Sequence, residues 1–162
     1  MESGREPMTT MLRHTLATLA YRADKVLRDA PSDFGGFKVG PDSRTPSQIL
    51  AHMGDLMDWA ASLAVGTHHW EPKPPRAWTD DVARFFASTR ALDDVLANEK
   101  VSDEDARKVF QGPIADALTH TGQLSMLRRL GGSPVKGENY ARATGIRVGE
   151  LGPGFSGPRV EF

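Results

Sequence analysis

The sequence predicts an all-α protein, a four-helix bundle, from three observations. Apolar residues recur at spacings of three and four along four segments of roughly 18 to 22 residues, and the alternation typical of strands is almost absent. The 162 residues are enough to bury one sizeable core and too few for two. Because each amphipathic helix must bury one apolar stripe, four such stripes are expected to close a single core.

The first two helices are predicted from apolar spacing and from their end signals. The first is expected over residues 8–29, with Met11 at the start of its apolar stripe. Loop residues rich in Pro, Gly and Asp follow it. Thr45 before Pro46 predicts the start of the second helix, because a capping hydroxyl and a proline in the first turn favour a helix N-terminus. Gly66 predicts its end.

Three further segments complete the helical part of the chain. Thr79, followed by two aspartates, predicts the start of the third helix. Ser102 predicts the start of a short helix. Gly112 and Pro113 predict a break, after which the last long helix is expected over 113–130. The connections between the first three helices are long for simple hairpins, so we expect a crossover in the bundle.

The chain is predicted to form one helical domain over residues 8–149, followed by a C-terminal tail over 150–162. Gly, Pro and Arg dominate the composition beyond the last helix. Two alternatives remain open for this part of the chain: it wraps over the bundle in an ordered form, or it is partly disordered.

Composition and charge exclude several classes of function. The formal net charge of -1 and a sequence pI near 6.5 give no global field for nucleic acid or for an anionic membrane. The chain has no cysteine, which leaves any metal to His, Asp and Glu and fits a reducing compartment. No segment has the apolar length of a membrane span or of a signal peptide. We therefore expect a cytoplasmic protein without nucleic-acid or membrane partners.

Three polar residues fall on apolar faces of the predicted helices. Asp116 and His120 lie one turn apart on the last helix, and His52 lies within the stripe of the second. A carboxylate buried in an apolar core is costly unless it is paired or binds a cation. Three such groups from two helices could hold a divalent metal and leave a coordination position open. The alternative is a metal-free hydrogen bond between Asp and His.

Other polar residues are weaker candidates. Asp55, one turn after His52, could accept a hydrogen bond from a ligand imidazole or could be a solvated helix acid. Gln123, one turn after His120, could form a hydrogen bond near the site or bridge two helices. Two adjacent histidines, His68 and a neighbour in the proline-rich loop, are expected at the surface.

Three segments, in this order and spacing, resemble one known family. They are ILAHMGDLMDWA at 49–60, DALTHTGQLSMLRRLGGSP at 116–134 and GENYARATGIRVG at 137–149. The second is similar to the family's last-helix signature, in which a histidine precedes a Gly-Gln pair and a further ligand lies four residues upstream. The chain thus resembles the DinB-like (DinB/YfiT-type) four-helix bundles, which include metal-dependent hydrolases and thiol-dependent S-transferases.

The resemblance implies a bundle that holds a divalent metal with one ligand from the second helix and two from the last. By position those ligands are His52, Asp116 and His120. Members commonly have three histidines, and Asp116 departs from that pattern. Nickel or zinc is the first expectation. Iron or manganese is the alternative, because two histidines and one carboxylate also suit non-haem Fe(II).

The resemblance also implies an activity and partners. It implies thiol-dependent transfer or hydrolysis at an open metal position, with a small-molecule substrate, a low-molecular-weight thiol as a candidate partner, and a homodimer. The alternative is a non-catalytic bundle, either ligand-binding or a dimeric interaction module, whose polar core is free of metal. The sequence identifies no catalytic residue beyond the metal ligands.

Overall fold

The computed structural model describes residues 6–162 of the chain, with side chains from residue 8 onward. Helices and loops make up this part, together with an isolated antiparallel bridge between Glu138 and Glu161, so the all-α class is confirmed. None of its helices combines the length and apolarity needed to cross a membrane. The helices are α1 (Glu6–Leu27), α2 (Pro46–Ala64), α3 (Trp78–Asn98), α4 (Asp103–Val109) and α5 (Ala115–Leu130).

Two of the predicted helix starts are confirmed by their hydrogen bonds. The Thr45 hydroxyl accepts a hydrogen bond from the backbone N–H of Gln48, whose side-chain oxygen in turn accepts from the backbone N–H of Thr45. The hydroxyl of Ser102 accepts from the backbone N–H of Asp105. Both residues therefore satisfy backbone donors that have no partner within the helix.

The prediction that Thr79 caps α3 is wrong, although the helix starts within one residue of it and has both predicted acids in its first turn. The helix begins at Trp78, and Ala77 stands at its cap without a side-chain hydrogen bond. The Asp81 carboxylate of the first turn instead accepts a hydrogen bond of 2.8 Å from the backbone N–H of Arg76, which ties the preceding loop to the start of the helix. A carboxylate at this position also lies favourably in the positive field of the helix N-terminus.

The predicted break at Gly112 and Pro113 is also wrong. A π-helical turn, Phe110–Ile114, joins α4 to α5 and contains the proline. Ala115 donates its backbone N–H to the carbonyl five residues earlier, as a π turn requires. Proline lacks an N–H and clashes with a normal α-helical turn, and the wider turn accommodates it. The helical path therefore continues over residues 103–130.

The helices form a bundle in which α1 and α2 stand at opposite corners. Each packs against both α3 and α5. The ion pair between Arg13 and Asp93 joins α1 to α3, and Met8 near the start of α1 lines the same cleft as Leu96 near the end of α3, so these helices run antiparallel. The chain crosses the bundle between α1 and α2, as the long connection predicted. This arrangement makes α2 and α5 neighbours, and the candidate residues lie on those two helices.

The core is apolar and is drawn from all the long helices. Met11 is an exception to the predicted stripe of α1, because its side chain is 63% exposed. It lies about 100° around the helix from Leu12, whose side chain is buried. The largest fully buried side chains are Tyr21, Phe85, Phe86, Leu16, Leu19, Leu50, Met53, Leu56, Met57, Leu92, Ile114 and Leu124.

A buried arginine of α5 closes the C-terminal end of α1. The Arg128 guanidinium donates hydrogen bonds of 3.0 Å and 3.1 Å to the carbonyls of Val26 and Arg28, and one of 3.4 Å to that of Asp29. These carbonyls belong to the last turn of a helix and to the residues after it, where intrahelical donors are missing. Arg128 thus links the ends of two helices that run side by side.

We expect Arg128→Leu to lower the free energy of unfolding by about 2 to 4 kcal/mol, because it leaves buried carbonyls without donors. Urea denaturation would measure the change. Arg129→Ala is the matched control, since Arg129 is exposed and its removal should cost less than about 0.5 kcal/mol. Equal effects of the two substitutions would contradict this role of Arg128.

The C-terminal tail lies against α1 through a network of buried charges. Lys25 donates a hydrogen bond of 2.9 Å to Glu138, and Arg159 pairs with Asp24 at 2.8 Å and with Glu138 at 3.2 Å. Leu151 is buried with the core of the bundle. The tail therefore wraps over the bundle in the structure, whereas the domain boundary at residue 149 stays a prediction.

Tyr21 lies next to this network. Burial raises the pKa of Tyr21 to about 12, and its interaction with the Glu138 carboxylate acts in the same direction. Burial acts to raise the pKa of Glu138 too, but contacts with Tyr21, Lys25 and Arg159 outweigh it and lower that pKa below its ordinary value. The Tyr21 hydroxyl nevertheless forms no hydrogen bond of good geometry with Glu138.

We expect Tyr21 to make stability fall at alkaline pH. Its contribution is complete below its ordinary pKa of 10.0 and is lost as the pH rises toward about 12. The loss should reach about 2 kcal/mol in urea titrations of the wild type across this range, and Tyr21→Phe should flatten it. Tyr140→Phe, which keeps the Tyr21 hydroxyl, should retain the loss. An equally steep loss in Tyr21→Phe would contradict the assignment.

Candidate metal centre

The packing of α2 against α5 brings the three predicted residues together. His52 Nε2 lies 3.3 Å from Asp116 Oδ2, and His120 Nε2 lies 3.4 Å from Asp116 Oδ1. One ligand atom from each residue can be chosen so that all three lie within 4.8 Å of one another. The two imidazole rings are 5.0 Å apart between centroids and nearly perpendicular. The sequence pattern thus identified a real cluster, and the group could hold a metal ion.

The donor set and its spacing fit a divalent cation. Ligand atoms about 2.0 to 2.1 Å from a tetrahedral Zn²⁺ are about 3.3 to 3.4 Å from one another. The two nitrogen-to-oxygen distances, 3.3 Å and 3.4 Å, are close to this value but run to different oxygens of Asp116. One donor atom from each residue lies within 4.8 Å of the other two, so small side-chain adjustments would bring the three donors around one cation. Two imidazoles and one carboxylate also leave at least one coordination position unfilled by protein.

The centre is more open to solvent than the sequence suggested. The side chain of His120 is 10% exposed and that of His52 is 23% exposed, but that of Asp116 is 45% exposed. The expectation of a carboxylate buried on an apolar face is therefore wrong for Asp116, because the first turn of α5 lies at the edge of the bundle. The cost of burial cannot by itself require a cation here. Exposure does allow a small molecule to reach the centre.

Gln123 orients His120. Its side-chain oxygen lies 2.7 Å from His120 Nδ1, so in the tautomer protonated at Nδ1 the ring donates a hydrogen bond to Gln123. The other ring nitrogen of a neutral His120 is then an acceptor, and it faces a carboxylate oxygen, which is also an acceptor. Two acceptors in contact require a positive charge between them, either a proton or a metal ion. Of the two roles that the sequence left open for Gln123, the structure shows the hydrogen bond near the site and not the bridge between helices.

Asp55 does not support His52, as one sequence interpretation had it. Its carboxylate accepts a hydrogen bond of 2.6 Å from Arg84 on α3 and bonds of 3.3 Å from the backbone N–H of Lys73. These contacts tie the loop between α2 and α3 to both helices. Asp55 is therefore a buried structural acid, and the solvated alternative is wrong as well.

The same loop places aromatic rings beside His52. Trp70 lies edge-on to His52 with 5.7 Å between ring centroids, and Trp59 of α2 packs against Trp70 at 5.6 Å. His68, exposed as expected, lies at 5.6 Å from Trp59. The sequence offered Trp70, with two other tryptophans, as a residue that could line the mouth of a pocket, but it did not place Trp70 beside His52, because a residue in an irregular loop has no periodicity that reveals its direction.

Comparison of the chain with protein-family models, with curated proteins and with solved structures gives no significant match. Membership of the DinB-like family therefore stays a prediction that depends on the three segments quoted above. The geometry of His52, Asp116 and His120 stands independently of that prediction.

We expect Gln123→Ala to weaken the binding of Zn²⁺ or Ni²⁺ by roughly 10-fold to 100-fold, because the His120 ring loses the partner that orients it. Competition with a chromophoric chelator would measure the affinity. Ser125→Ala, a small change on the same helix, is the control and should leave the affinity unchanged. An unchanged affinity in Gln123→Ala would show that the hydrogen bond does not support metal binding.

Proposed function

We propose that this protein is a divalent-metal-dependent enzyme of the DinB-like type, which transfers a thiol to a small-molecule substrate at a centre formed by His52, Asp116 and His120. One observation carries the proposal. In the tautomer that donates from Nδ1 to Gln123, His120 Nε2 is an acceptor, and it lies 3.4 Å from a carboxylate oxygen of Asp116. A divalent cation between this nitrogen and this oxygen would bind both acceptors and remove the repulsion between them.

Each ligand has a distinct part in this proposal. His52 and His120 supply neutral nitrogen donors, and Asp116 supplies a negative charge that a three-histidine site would lack. A bound cation would act as a Lewis acid and lower the pKa of a thiol or water that coordinates it. Zinc or nickel is the first choice, and iron or manganese is the alternative that the carboxylate favours.

Transfer of a thiol is preferred over hydrolysis for a reason of proton chemistry. In the part of the chain that the structure describes, no fourth His, Asp or Glu joins the group as a general base. Attack by water would require either such a base or a cation that ionises the water, whose ordinary pKa is about 15.7. A thiol, with an ordinary pKa of about 8.5, would lose its proton to solvent more readily on the same cation, and its sulfur would then form a bond to the substrate as a leaving group departs. A low-molecular-weight thiol is therefore the proposed partner, and the homodimer and the cytoplasmic location belong to the same proposal.

A second function has one observation in its favour. Because Asp116 is 45% exposed, its carboxylate can be solvated, and hydrogen bonds to the two histidines could satisfy the cluster without metal. In that case the bundle would be a ligand-binding or dimeric interaction module with a metal-free polar centre.

Metal analysis separates the two functions. We expect protein purified without chelator and then offered Zn²⁺ or Ni²⁺ to retain about one ion per chain after desalting. The double variant His52→Ala, His120→Ala should lose affinity by at least about a hundredfold, more than loss of an outer partner costs. The matched control is His68→Ala, His69→Ala, which removes two exposed histidines and should bind like the wild type.

The open position can be tested with the same samples. Protein loaded with Co²⁺ should develop a sulfur-to-metal charge-transfer band when 2-mercaptoethanol is added, and the control variant should do the same. Wild-type protein that stays free of every metal offered would contradict the proposal and favour the metal-free module. A metal-loaded protein without the thiol band would leave the centre standing and contradict thiol transfer.

A further inference from the structure

A cleft of about 490 Å³ opens beside His120. His120 and Gln123 line it from α5, and the rest of its wall comes from α5, the start of α2 and the loop before α2. Its volume falls within the range of small-molecule sites, roughly 300 to 1,000 Å³. The apolar residues that line the cleft are Val39, Ile49, Met126, Leu127 and Leu130.

The cleft leads away from the candidate metal centre along one face of α5. His120, Gln123, Leu127 and Leu130 follow one another at spacings of three and four, so they form a continuous stripe. At a rise of 1.5 Å per residue, this stripe is about 15 Å long. One end of the cleft thus lies at a candidate ligand, and the other lies more than two helical turns away.

The lining exposes apolar surface to water. Val39 is 51% exposed, and Met126 and Leu130 are each 56% exposed. Single exposed apolar side chains are common on protein surfaces, but several that line one cleft indicate a surface that binds something apolar. Continuity with His120 points to a substrate whose reacting group reaches the metal centre.

We infer that this cleft binds the hydrocarbon part of the substrate, an aliphatic or aromatic group of about the size of a hexyl to octyl chain, while the polar reacting group lies at the metal centre. The inference rests on the proposed function, because it assigns the substrate class of the same site. It adds residues that have no part in metal binding, chiefly Met126 and Leu130.

The charge of the residues that line the cleft narrows the class of substrate further. Arg44 is the one side chain with a permanent charge among the residues that line it. Among the described residues its guanidinium has neither an ion pair nor a hydrogen bond. A cationic group in the cleft would meet this charge without a counter-ion. The substrate is therefore neutral or anionic in its apolar part, and not cationic.

Alkyl hydroxamates test the inference, because the hydroxamate binds the metal and the chain can be varied. Calorimetry on Zn²⁺-loaded protein would compare acetohydroxamate, hexanohydroxamate and octanohydroxamate. We expect the dissociation constant to fall about threefold to fourfold for each methylene that enters the cleft, and at least about thirtyfold from acetohydroxamate to octanohydroxamate. A terminal ammonium on the six-carbon chain should weaken binding by up to about fivefold, because Arg44 is exposed and its repulsion is that of two charges in water.

Two variants test whether the dependence of affinity on chain length arises in this cleft. Met126→Ser combined with Leu130→Ser should reduce the gain from acetohydroxamate to octanohydroxamate by about tenfold, with acetohydroxamate itself bound as in the wild type. Met11→Ser is the matched control, since Met11 is 63% exposed and does not line this cleft. It should keep the full dependence on chain length.

The outcomes separate the inference from the proposed function. If acetohydroxamate binds and chain length has no effect, the substrate class is wrong and the metal centre stands. If the protein binds no metal, both the proposed function and the inference about the cleft are wrong. If light scattering shows a dimer that the Met126 and Leu130 substitutions dissociate while octanohydroxamate binds as before, the apolar lining is an interface between two copies, and the inference is overturned.

Discussion

The antiparallel contact between α2 and α5 is the constraint on which the candidate centre depends. His52 and Asp116 are 64 residues apart in the chain, and only the crossover between α1 and α2 makes their helices neighbours. The contact also defines the cleft, because Ile49 of α2 and Leu127 of α5 both line it, one turn from His52 and two turns from His120 respectively. The packing of α2 against α5 therefore forms part of the bundle and also forms both the candidate centre and the cleft.

The π-helical turn before α5 sets how that helix is presented to α2. Each additional residue in a helical turn rotates the following side chains by up to about 100°. Pro113 stands three residues before Asp116, so the rotation is determined immediately upstream of the ligand pair. A π turn is rare and is frequently found at functional sites. The π turn gives a structural reason for Pro113, which in the sequence predicts a break in the helix.

Local chemistry explains why some features were predictable and others were not. The cap at Thr45 and the pairing of Asp116 with His120 depend on neighbours in the chain, and spacing revealed both. The partner of Asp55 was hidden because Arg84 belongs to another helix and no local pattern links the two. The exposure of Asp116 was hidden for a related reason: helical periodicity gives the direction of a side chain but not where the neighbouring helix ends.

The two histidines have unlike surroundings, and this asymmetry bears on how a substrate could approach. On the His52 side, Trp70 packs against the ring, and its loop is tied to α2 and α3 by hydrogen bonds from Lys73 and Arg84 to Asp55. Moving that loop would leave a buried carboxylate short of partners, which is costly. On the His120 side, half-exposed apolar side chains line open space. A substrate of the proposed kind would therefore meet the smaller barrier along α5, where Gln123 lies within hydrogen-bond distance of the His120 ring.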